Sequence, residues 1–246
     1  MISQLVSVEG TYNLRDLGGM RADGGTIAAG RLFRSDALSA LGEAGVGQLA
    51  GLGITRVIDL RDDGERERSP DALPASAALI PHPIFPSAAS HVVRGLDIFG
   101  LTEVIYLEHA DTLATALALL AEQGEEESEA AGATLFHCTA GKDRTGAVAA
   151  LALTAVGVSR DDVVADYAAS EANLRGEWLD THLAALARLG LELTPETEGL
   201  VGRTPPEALE RTLVELDRRF GSVRDYLRAS GVSDATLERL HATLVE

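Results

Sequence analysis

Cysteine is almost absent from this chain, since Cys138 is the only cysteine in 246 residues. A single thiol allows no internal disulfide and no zinc site built from several cysteines. Sparse cysteine is typical of a reducing compartment, which favours a cytoplasmic location and leaves export without a conventional signal open.

Long apolar segments and a secretory signal are also missing. The longest apolar block, residues 146–158, is shorter than the roughly 20 residues that a helix needs to cross a bilayer. The first six residues carry neither the basic region nor the sustained apolar run of a signal peptide. The sequence thus predicts no stable membrane insertion.

Positive charge is scarce as well, because 38 acidic residues outnumber 21 basic ones and give a formal net charge of −17. Lys142 is the only lysine, so the other basic side chains are arginines. A chain this acidic repels nucleic acid and anionic membranes unless a local patch reverses the sign. We expect no nucleic-acid partner, and an anionic substrate would have to be bound by local arginines and backbone dipoles.

Strand-like and helical segments alternate along the chain without internal repeats or a linker, which predicts a single domain over residues 1–246. Short apolar or alternating runs predict strands at 31–35, 54–61, 78–84 and 133–136, the third of them irregular or at an edge. This order favours an α/β fold with a central, mostly parallel sheet of about four to five strands flanked by helices. The second half of the chain adds extra helices and a C-terminal helical part.

Other segments between and after these strands also have recognisable patterns. Residues 101–122 have the pattern of one long helix, whereas residues 86–100 have no clear period and predict a loop or a lid. Further helices are expected at 159–170 and 171–189, followed by a polar connection at 194–204.

One stretch, residues 137–146, lies between a short apolar run of strand composition and an apolar helix. The small apolar residues that follow Gly146 can form a helix buried on all sides. A loop in this position leads into a helix N-terminus, where backbone N–H groups lack intrahelical partners and attract anions. The stretch therefore predicts an anion-binding site.

Cys138 and Arg144 enclose a loop of five residues. A loop of this length can turn its N–H groups towards one centre and form a cup of phosphate size, while the arginine binds two phosphate oxygens. The same field favours the thiolate of Cys138, which predicts a nucleophile that forms a phosphocysteine. The candidate phosphate-binding residues are Thr139, Ala140, Gly141, Lys142, Asp143, Arg144 and Thr145.

A leaving alkoxide or phenoxide needs a proton, so a carboxylic acid is expected above the cup. Asp143 lies inside the loop and is the nearest candidate. Asp59, Asp62 and Asp63, near the end of a neighbouring predicted strand, are the alternatives.

Supporting roles are expected for several other side chains. His137 is predicted to hydrogen-bond the backbone around Cys138, and the Thr145 hydroxyl to help the thiolate leave. The remaining histidines are scattered without the spacing of a metal site. Three arginines are expected to form ion pairs with nearby carboxylates, namely Arg15 with Asp16, Arg34 with Asp36 and Arg61 with Asp59.

The pattern His137-Cys138, five residues, Arg144-Thr145 resembles the signature of the cysteine-dependent protein tyrosine phosphatases. The inner residues 140–145 resemble a bacterial tyrosine-protein phosphatase family with mycobacterial and Listeria members. Other segments share the resemblance, which runs from residue 13 to about residue 240: 13–19, 32–36, 57–61, 166–167, 220–223 and 226–227.

The resemblance implies a phosphotyrosine-phosphatase-like fold and hydrolysis of phosphotyrosine, with phosphoserine, phosphothreonine or phosphoinositides as further substrates. It implies no metal and no other cofactor, a phosphorylated protein or lipid as partner, and inorganic phosphate as product. Lys142 and Asp143 match family positions associated with broad specificity, the aspartate as a general acid inside the loop. In family members some helices cover the site, and the matching regions here are 86–100 and 171–203.

Two other functions use similar loops. A rhodanese-type sulfurtransferase also has a cysteine on an anion-binding loop, but Arg144-Thr145 and the five-residue spacing suit a phosphate and an in-line displacement. A phosphatase fold that only binds phosphorylated ligands would usually lack the cysteine, the arginine or the candidate acid, and all three are present. A phosphatase is therefore the leading hypothesis.

Overall fold

A computed structural model gives the fold and describes residues 3–85, 95–122 and 132–246. Residues 86–94 of the predicted lid 86–100 lie outside these ranges. The strands are β1 (Gln4–Leu5), β2 (Arg15–Asp16), β3 (Arg21–Ala22), β4 (Gly25–Thr26), β5 (Leu32–Ser35), β6 (Ile54–Asp59), β7 (Ala78–Pro81) and β8 (Ala133–His137).

A six-stranded sheet with the order β1-β2-β5-β8-β6-β7 forms the centre of the fold, and β3 and β4 form a separate hairpin. Strands β5, β8, β6 and β7 run parallel, whereas β1 and β2 pair antiparallel. The predicted α/β fold with a mostly parallel sheet is confirmed, and β7 is an edge strand as expected. The predicted count of about four to five strands is too low, because strands of two residues have no periodicity that a sequence can show.

The register of the parallel strands brings their carboxyl ends together. His137, at the end of β8, lies opposite Ser35 of β5 and Asp59 of β6. In open α/β sheets the loops that follow the strands gather at this edge and bind ligands there. The loop after His137 is therefore at the edge where a functional site is expected.

Along the chain, helices lie between the parallel strands and follow the last of them. A 3₁₀ turn at Leu38–Ala40 precedes the first α-helix. The α-helices are α1 (Glu43–Gly51), α2 (Asp63–Arg68), α3 (Ile98–Glu108), α4 (Ala110–Ala121), α5 (Asp143–Ala155), α6 (Arg160–Leu174), α7 (Glu177–Arg188), α8 (Pro195–Gly202), α9 (Pro206–Phe220), α10 (Val223–Ala229) and α11 (Asp234–Leu244).

Two apolar cores lie on the two faces of the sheet. Leu135 of β8 and Val57 of β6 face a smaller core that includes Leu49 of α1. The next residues along the same strands, Phe136 and Ile58, face a larger core built from most of the remaining helices. This alternation follows from the pleat of a strand, which points successive side chains to opposite faces.

Helix α5 begins directly after the loop of residues 138–142 and is buried along almost its whole length. It contacts α3, α4, α6, α10 and α11 as well as strands β5 and β8. Its many alanines allow these neighbours to approach closely, so the predicted helix buried on all sides is confirmed. This packing fixes the first turn of α5, which carries one end of the loop.

The predicted single helix over 101–122 is wrong. The structure has two helices there, α3 and α4, and the chain bends by 73° between them. His109 lies between them with a φ of −123°, outside the helical region. Among the residues described, no single helix is long and apolar enough to span a membrane, and this bent pair meets the same criteria only when its two parts are taken together.

The segment between α6 and α9 also differs from the prediction. The expected polar connection at 194–204 contains α8, which begins after Thr194, whose side chain accepts a hydrogen bond from Thr197 N. Helix α6 continues to Leu174, and Gly176, with a φ of +89°, separates it from α7. The segment between α6 and α9 thus consists of two helices, α7 and α8.

Buried ion pairs connect the sheet to α6. Arg15 and Arg34 both pair with Asp166, and not with the sequence neighbours Asp16 and Asp36 that were predicted. Those two aspartates instead accept hydrogen bonds from backbone N–H groups of nearby turns. Burial opposes ionisation of Asp166, but the charges of the two arginines hold its pKa below the ordinary value.

We expect Asp166→Asn to lower the free energy of unfolding by about 3–5 kcal/mol, which is typical when a buried ion pair loses one partner. Urea denaturation at about pH 7 measures this difference. Asp217→Asn is the matched control, because Asp217 pairs with Arg160 where the side chains are 36% and 38% exposed and such pairs contribute about 0–1 kcal/mol. Equal losses of unfolding free energy in the two variants would contradict a larger contribution of the buried Asp166 than of the exposed Asp217.

Candidate active site

The loop of residues 138–142 connects the end of β8 to the first turn of α5. Its backbone turns at Gly141, where φ is +67°. A Cβ added at Gly141 would lie 2.3 Å from the carbonyl oxygen of Ser35, so a larger residue would displace the end of β5. The loop is therefore wrapped tightly against the neighbouring strand.

Carbonyl groups of the loop point outward to donors in neighbouring segments. The carbonyl oxygen of Thr139 accepts a hydrogen bond from Ala37 N at 3.1 Å, and that of Gly141 accepts one from Arg34 Nη2 at 2.8 Å. In a trans peptide the N–H of the following residue points to the opposite side. The inside of the loop is thus lined with donors, which suits an oxyanion.

Cys138 lies at the buried base of the loop with 2% of its surface exposed, and Arg144, in the first turn of α5, is 4% exposed. Thr145 follows and is fully buried. Its hydroxyl has no hydrogen-bond partner within the described ranges. A buried hydroxyl without a protein partner is available to a bound anion or to the thiolate.

A carboxylate from α2 binds the arginine of the loop. Arg144 donates through Nη1 to Oε2 of Glu65 at 2.6 Å and through Nη2 to Oε1 at 2.8 Å. The hydroxyl of Thr139 donates to the same Oε1 at 2.6 Å. Glu65 is itself held by a capping box with Asp62 at the start of α2. This arrangement fixes the orientation of the guanidinium beside the loop.

Glu65 is the largest omission from the predicted site residues. Burial opposes its ionisation, but the hydrogen bonds from Arg144 and Thr139 outweigh burial and lower its pKa to about 2. Burial also disfavours the charged guanidinium, yet Glu65 and the sulfur of Cys138 raise the pKa of Arg144. The sequence contains one signal for this residue, the Asp-x-x-Glu pattern of a capping box at 62–65, which marks the helix but not its partner.

Lys142, the only lysine, is buried at the edge of the loop. Its Nζ donates to Oδ1 of Asp143 at 2.8 Å and to the carbonyl oxygen of Arg203 at 3.4 Å. Asp143 is the first residue of α5 and keeps 12% of its side chain exposed. The pair therefore places a partly accessible carboxyl group beside the loop and holds it with a buried cation.

The alternative acids have other structural roles. Asp59 is fully buried and accepts two hydrogen bonds, of 2.7 and 3.1 Å, at one oxygen from Arg61. Asp62 caps α2, and Asp63 has 80% of its side chain exposed. Of the four predicted candidates, Asp143 is the one that directly follows the loop.

His137 makes the backbone contact that was expected, because its Nδ1 lies 3.2 Å from the carbonyl oxygen of Cys138. Its Nε2 lies 3.2 Å from Oδ2 of Asp71. Asp59, Asp71 and His137 bring three possible metal ligands within 4.8 Å of one another. Both carboxylates are already bound by Arg61 at 2.7 Å, which offsets one of their two negative charges and confirms the predicted pair of Arg61 with Asp59. The cluster is better explained as an ion-pair network that supports the loop than as a metal site.

Apolar side chains border the loop on two sides. Trp178 of α7 and Leu174 of α6 form a small cluster with Ala140. The guanidinium carbon of Arg144 lies 5.3 Å from the ring centroid of Phe85, a distance that allows a cation–π contact. Part of the predicted lid region 171–203 is therefore next to the loop.

Comparison with known proteins places these features in a family context. The sequence model described as "Tyrosine phosphatase family" matches residues 6–246. The chain is 31% identical over 281 residues to the triple specificity protein phosphatase PtpB of Mycobacterium tuberculosis, covering 96% of this chain and 97% of that protein. It is 30% identical over 230 residues to a tyrosine-protein phosphatase of Nostoc commune, covering 89% and 75%. Among solved structures it matches TpbA of P. aeruginosa at 20% identity and a TM-score of 0.39, covering 76% and 96%.

The charge of Glu65 should make its contribution to stability depend on pH. A carboxyl group whose pKa is lowered from 4.5 to about 2 on folding stabilises the protein above pH 4.5, and this contribution is lost as the pH falls towards 2. We expect Glu65→Gln to be less stable than wild type at about pH 7, and the difference in free energy of unfolding to shrink between about pH 4.5 and pH 3. Urea denaturation at these pH values measures it.

Glu67→Gln is the control for this experiment, because Glu67 lies exposed on the same short helix. Its stability should follow that of wild type throughout. If the difference in unfolding free energy between Glu65→Gln and wild type does not change with pH, a charged pair of Glu65 with Arg144 is contradicted.

Proposed function

Because this chain belongs to the tyrosine phosphatase family, we propose that it hydrolyses phosphotyrosine through a phosphocysteine formed on Cys138. Membership of the family makes it a phosphoric monoester hydrolase. One observation gives these residue roles their main support. A buried cysteine and a buried arginine lie at the two ends of a loop whose carbonyl groups are held outward.

In the first step the thiolate of Cys138 attacks phosphorus in line with the leaving oxygen. The S–P bond forms, the P–O bond to the tyrosine ring breaks, and the departing phenoxide takes a proton from an acid. The N–H groups of the loop and the guanidinium of Arg144 bind the remaining phosphoryl oxygens and stabilise the charge that they carry in the transition state.

In the second step a water molecule attacks the phosphorus of the phosphocysteine. The water gives a proton to the carboxylate left by the first step, the S–P bond breaks, inorganic phosphate leaves, and the thiolate is restored. The buried hydroxyl of Thr145, which has no partner within the described chain, supplies a hydrogen bond to the departing sulfur.

Asp143 is the proposed general acid. Its carboxyl group lies on the first residue of α5, directly after the loop, is partly accessible and is hydrogen-bonded to Lys142 at 2.8 Å. Asp59 is bound to Arg61 and Asp62 caps α2, so neither side chain is available above the loop. The bond to Lys142 keeps the carboxyl group of Asp143 in place between turnovers.

A phosphorylated protein is the proposed main substrate, with phosphoserine, phosphothreonine and phosphoinositides as secondary substrates. The support is the name "triple specificity" of PtpB, which is 31% identical to this chain over 96% of its length. The net charge of −17 disfavours tight docking on an anionic membrane. We therefore rank soluble phosphopeptides before membrane-bound phosphoinositides.

Wild-type protein should release phosphate from p-nitrophenyl phosphate and from a phosphotyrosine peptide, and more slowly from a phosphoserine peptide and a soluble phosphoinositide. Cys138→Ser should lower kcat on every substrate by about 1000-fold or more, because the nucleophile is lost. It should still bind the phosphotyrosine peptide. Phosphate release and calorimetry on the two proteins measure these outcomes.

Two results would contradict this assignment. Folded wild-type protein that binds the phosphotyrosine peptide but releases no phosphate would be a binding module. Protein that consumes thiosulfate and is insensitive to vanadate would be a sulfurtransferase, an alternative that the family match does not support.

Asp143→Asn should slow turnover most for substrates whose leaving group is a strong base and must be protonated as it departs. We expect kcat to fall about 100-fold for phenyl phosphate and much less for p-nitrophenyl phosphate, whose leaving group is stable as an anion. Asp63→Asn is the exposed control and should behave as wild type. If Asp59→Asn shows this dependence on the leaving group and Asp143→Asn does not, Asp143 is not the acid.

A further inference from the structure

Asn13 connects the N-terminal segment to the loop of residues 138–142. It is fully buried, and its Nδ2 donates to the carbonyl oxygens of Ala140 at 3.0 Å and Gly141 at 3.1 Å. We propose that Asn13 is a positioning residue of the phosphatase reaction, which holds these two carbonyls outward so that the next N–H groups face the phosphate. This inference rests on the proposed function, since it assumes that the loop binds a phosphate.

The two peptide groups bound by Asn13 are those on either side of Gly141. Glycine rotates about its backbone bonds more freely than any other residue, so Gly141 is the point in the loop where a peptide plane is easiest to turn. A turned plane would present a carbonyl oxygen, and not an N–H group, to the anion. By binding both flanking carbonyls, one side chain prevents rotation on either side of Gly141.

The orientation of the Asn13 amide follows from its other partners. Its Oδ1 accepts hydrogen bonds from Nη1 of Arg15 and, at 3.0 Å, from Nδ2 of Asn173. Both partners are donors, so the oxygen must face them and the NH₂ group must face the loop. The backbone N–H of Asn13 also donates to Asp36 at 2.8 Å. The side chain therefore has no second arrangement that satisfies its neighbours.

A second side chain acts on the same peptide. Arg34 donates to the carbonyl oxygen of Gly141 at 2.8 Å and is held by Asp166. Because Gly141 O has two donors, its orientation would survive the loss of one of them, whereas the carbonyl of Ala140 would lose the bond from Asn13 entirely. The N–H of Gly141 is thus the group that we expect to depend most on Asn13.

The test is Asn13→Ala, measured by kcat for p-nitrophenyl phosphate, by the inhibition constant for vanadate and by melting temperature. Loss of one donor to a developing oxyanion typically costs about 100-fold or more in kcat, and Asn13 acts on such donors indirectly. We expect kcat to fall by about tenfold or more, and the inhibition constant for vanadate to rise by a similar factor.

Asp16→Ala is the matched control. Asp16 lies in the same segment, accepts hydrogen bonds of 2.8 Å from Gly18 N and Gly30 N, and contacts the loop through none of them. It should lower the melting temperature while leaving kcat and the vanadate constant within about twofold of wild type. If Asn13→Ala behaves in the same way, Asn13 is a structural residue and the proposal is overturned.

Asn13→Asp is the second variant in case Asn13→Ala does not fold. It keeps the shape of the side chain but turns an oxygen towards the two carbonyls, and the same losses are expected. Values unchanged from wild type overturn the proposal, and so does a failure of both variants to fold.

A failure of the proposed function would be seen separately, as wild-type protein without phosphatase activity. In that case calorimetry with inorganic phosphate still tests Asn13. Weaker binding to Asn13→Ala than to wild type supports the positioning role, and equal binding overturns it.

Discussion

A loop that binds an anion through its N–H groups must keep its own carbonyl oxygens away from that anion. In this fold the donors that hold those carbonyls come mostly from the N-terminal segment, through Asn13, Arg34 and the backbone of Ala37. The carbonyl oxygen of Ser35 lies beside Gly141 and leaves no space there for a side chain. The shape of the site is therefore set from outside the loop.

This dependence extends to the stability of the fold. Arg34 can lie fully buried beneath the loop because Asp166 of α6 binds it, and the same carboxylate also binds Arg15. A buried cation without its partner is strongly unfavourable, whereas a complete pair is tolerated. Helix α6, strand β5 and the loop are consequently held in one arrangement by a few charges. The geometry of the loop and the stability of the fold depend on the same contacts.

The sequence predicted those parts of the molecule that are encoded over short distances. The strand, loop and helix around Cys138 follow from a local pattern, and the pair of Arg61 with Asp59 joins residues two positions apart. The partners of Arg15 and Arg34 could not be found in this way, because Asp166 is more than a hundred positions away. Glu65 was missed for the same reason, since its partner Arg144 belongs to a distant segment.

The distribution of charge explains why the backbone of the loop matters so much. Among the residues that the structure describes, the cations buried near the loop all have a carboxylate partner: Arg144 with Glu65, Lys142 with Asp143, Arg15 and Arg34 with Asp166, and Arg61 with Asp59 and Asp71. These groups nearly cancel one another, and the chain as a whole repels anions with its net charge of −17. A phosphate group must therefore be attracted by dipoles that have no counter-charge, which are the N–H groups of the loop and of the first turn of α5. Their direction is fixed by the hydrogen bonds of the carbonyls on the opposite side, so the proposed anion site depends on these outward bonds more than on any single charge.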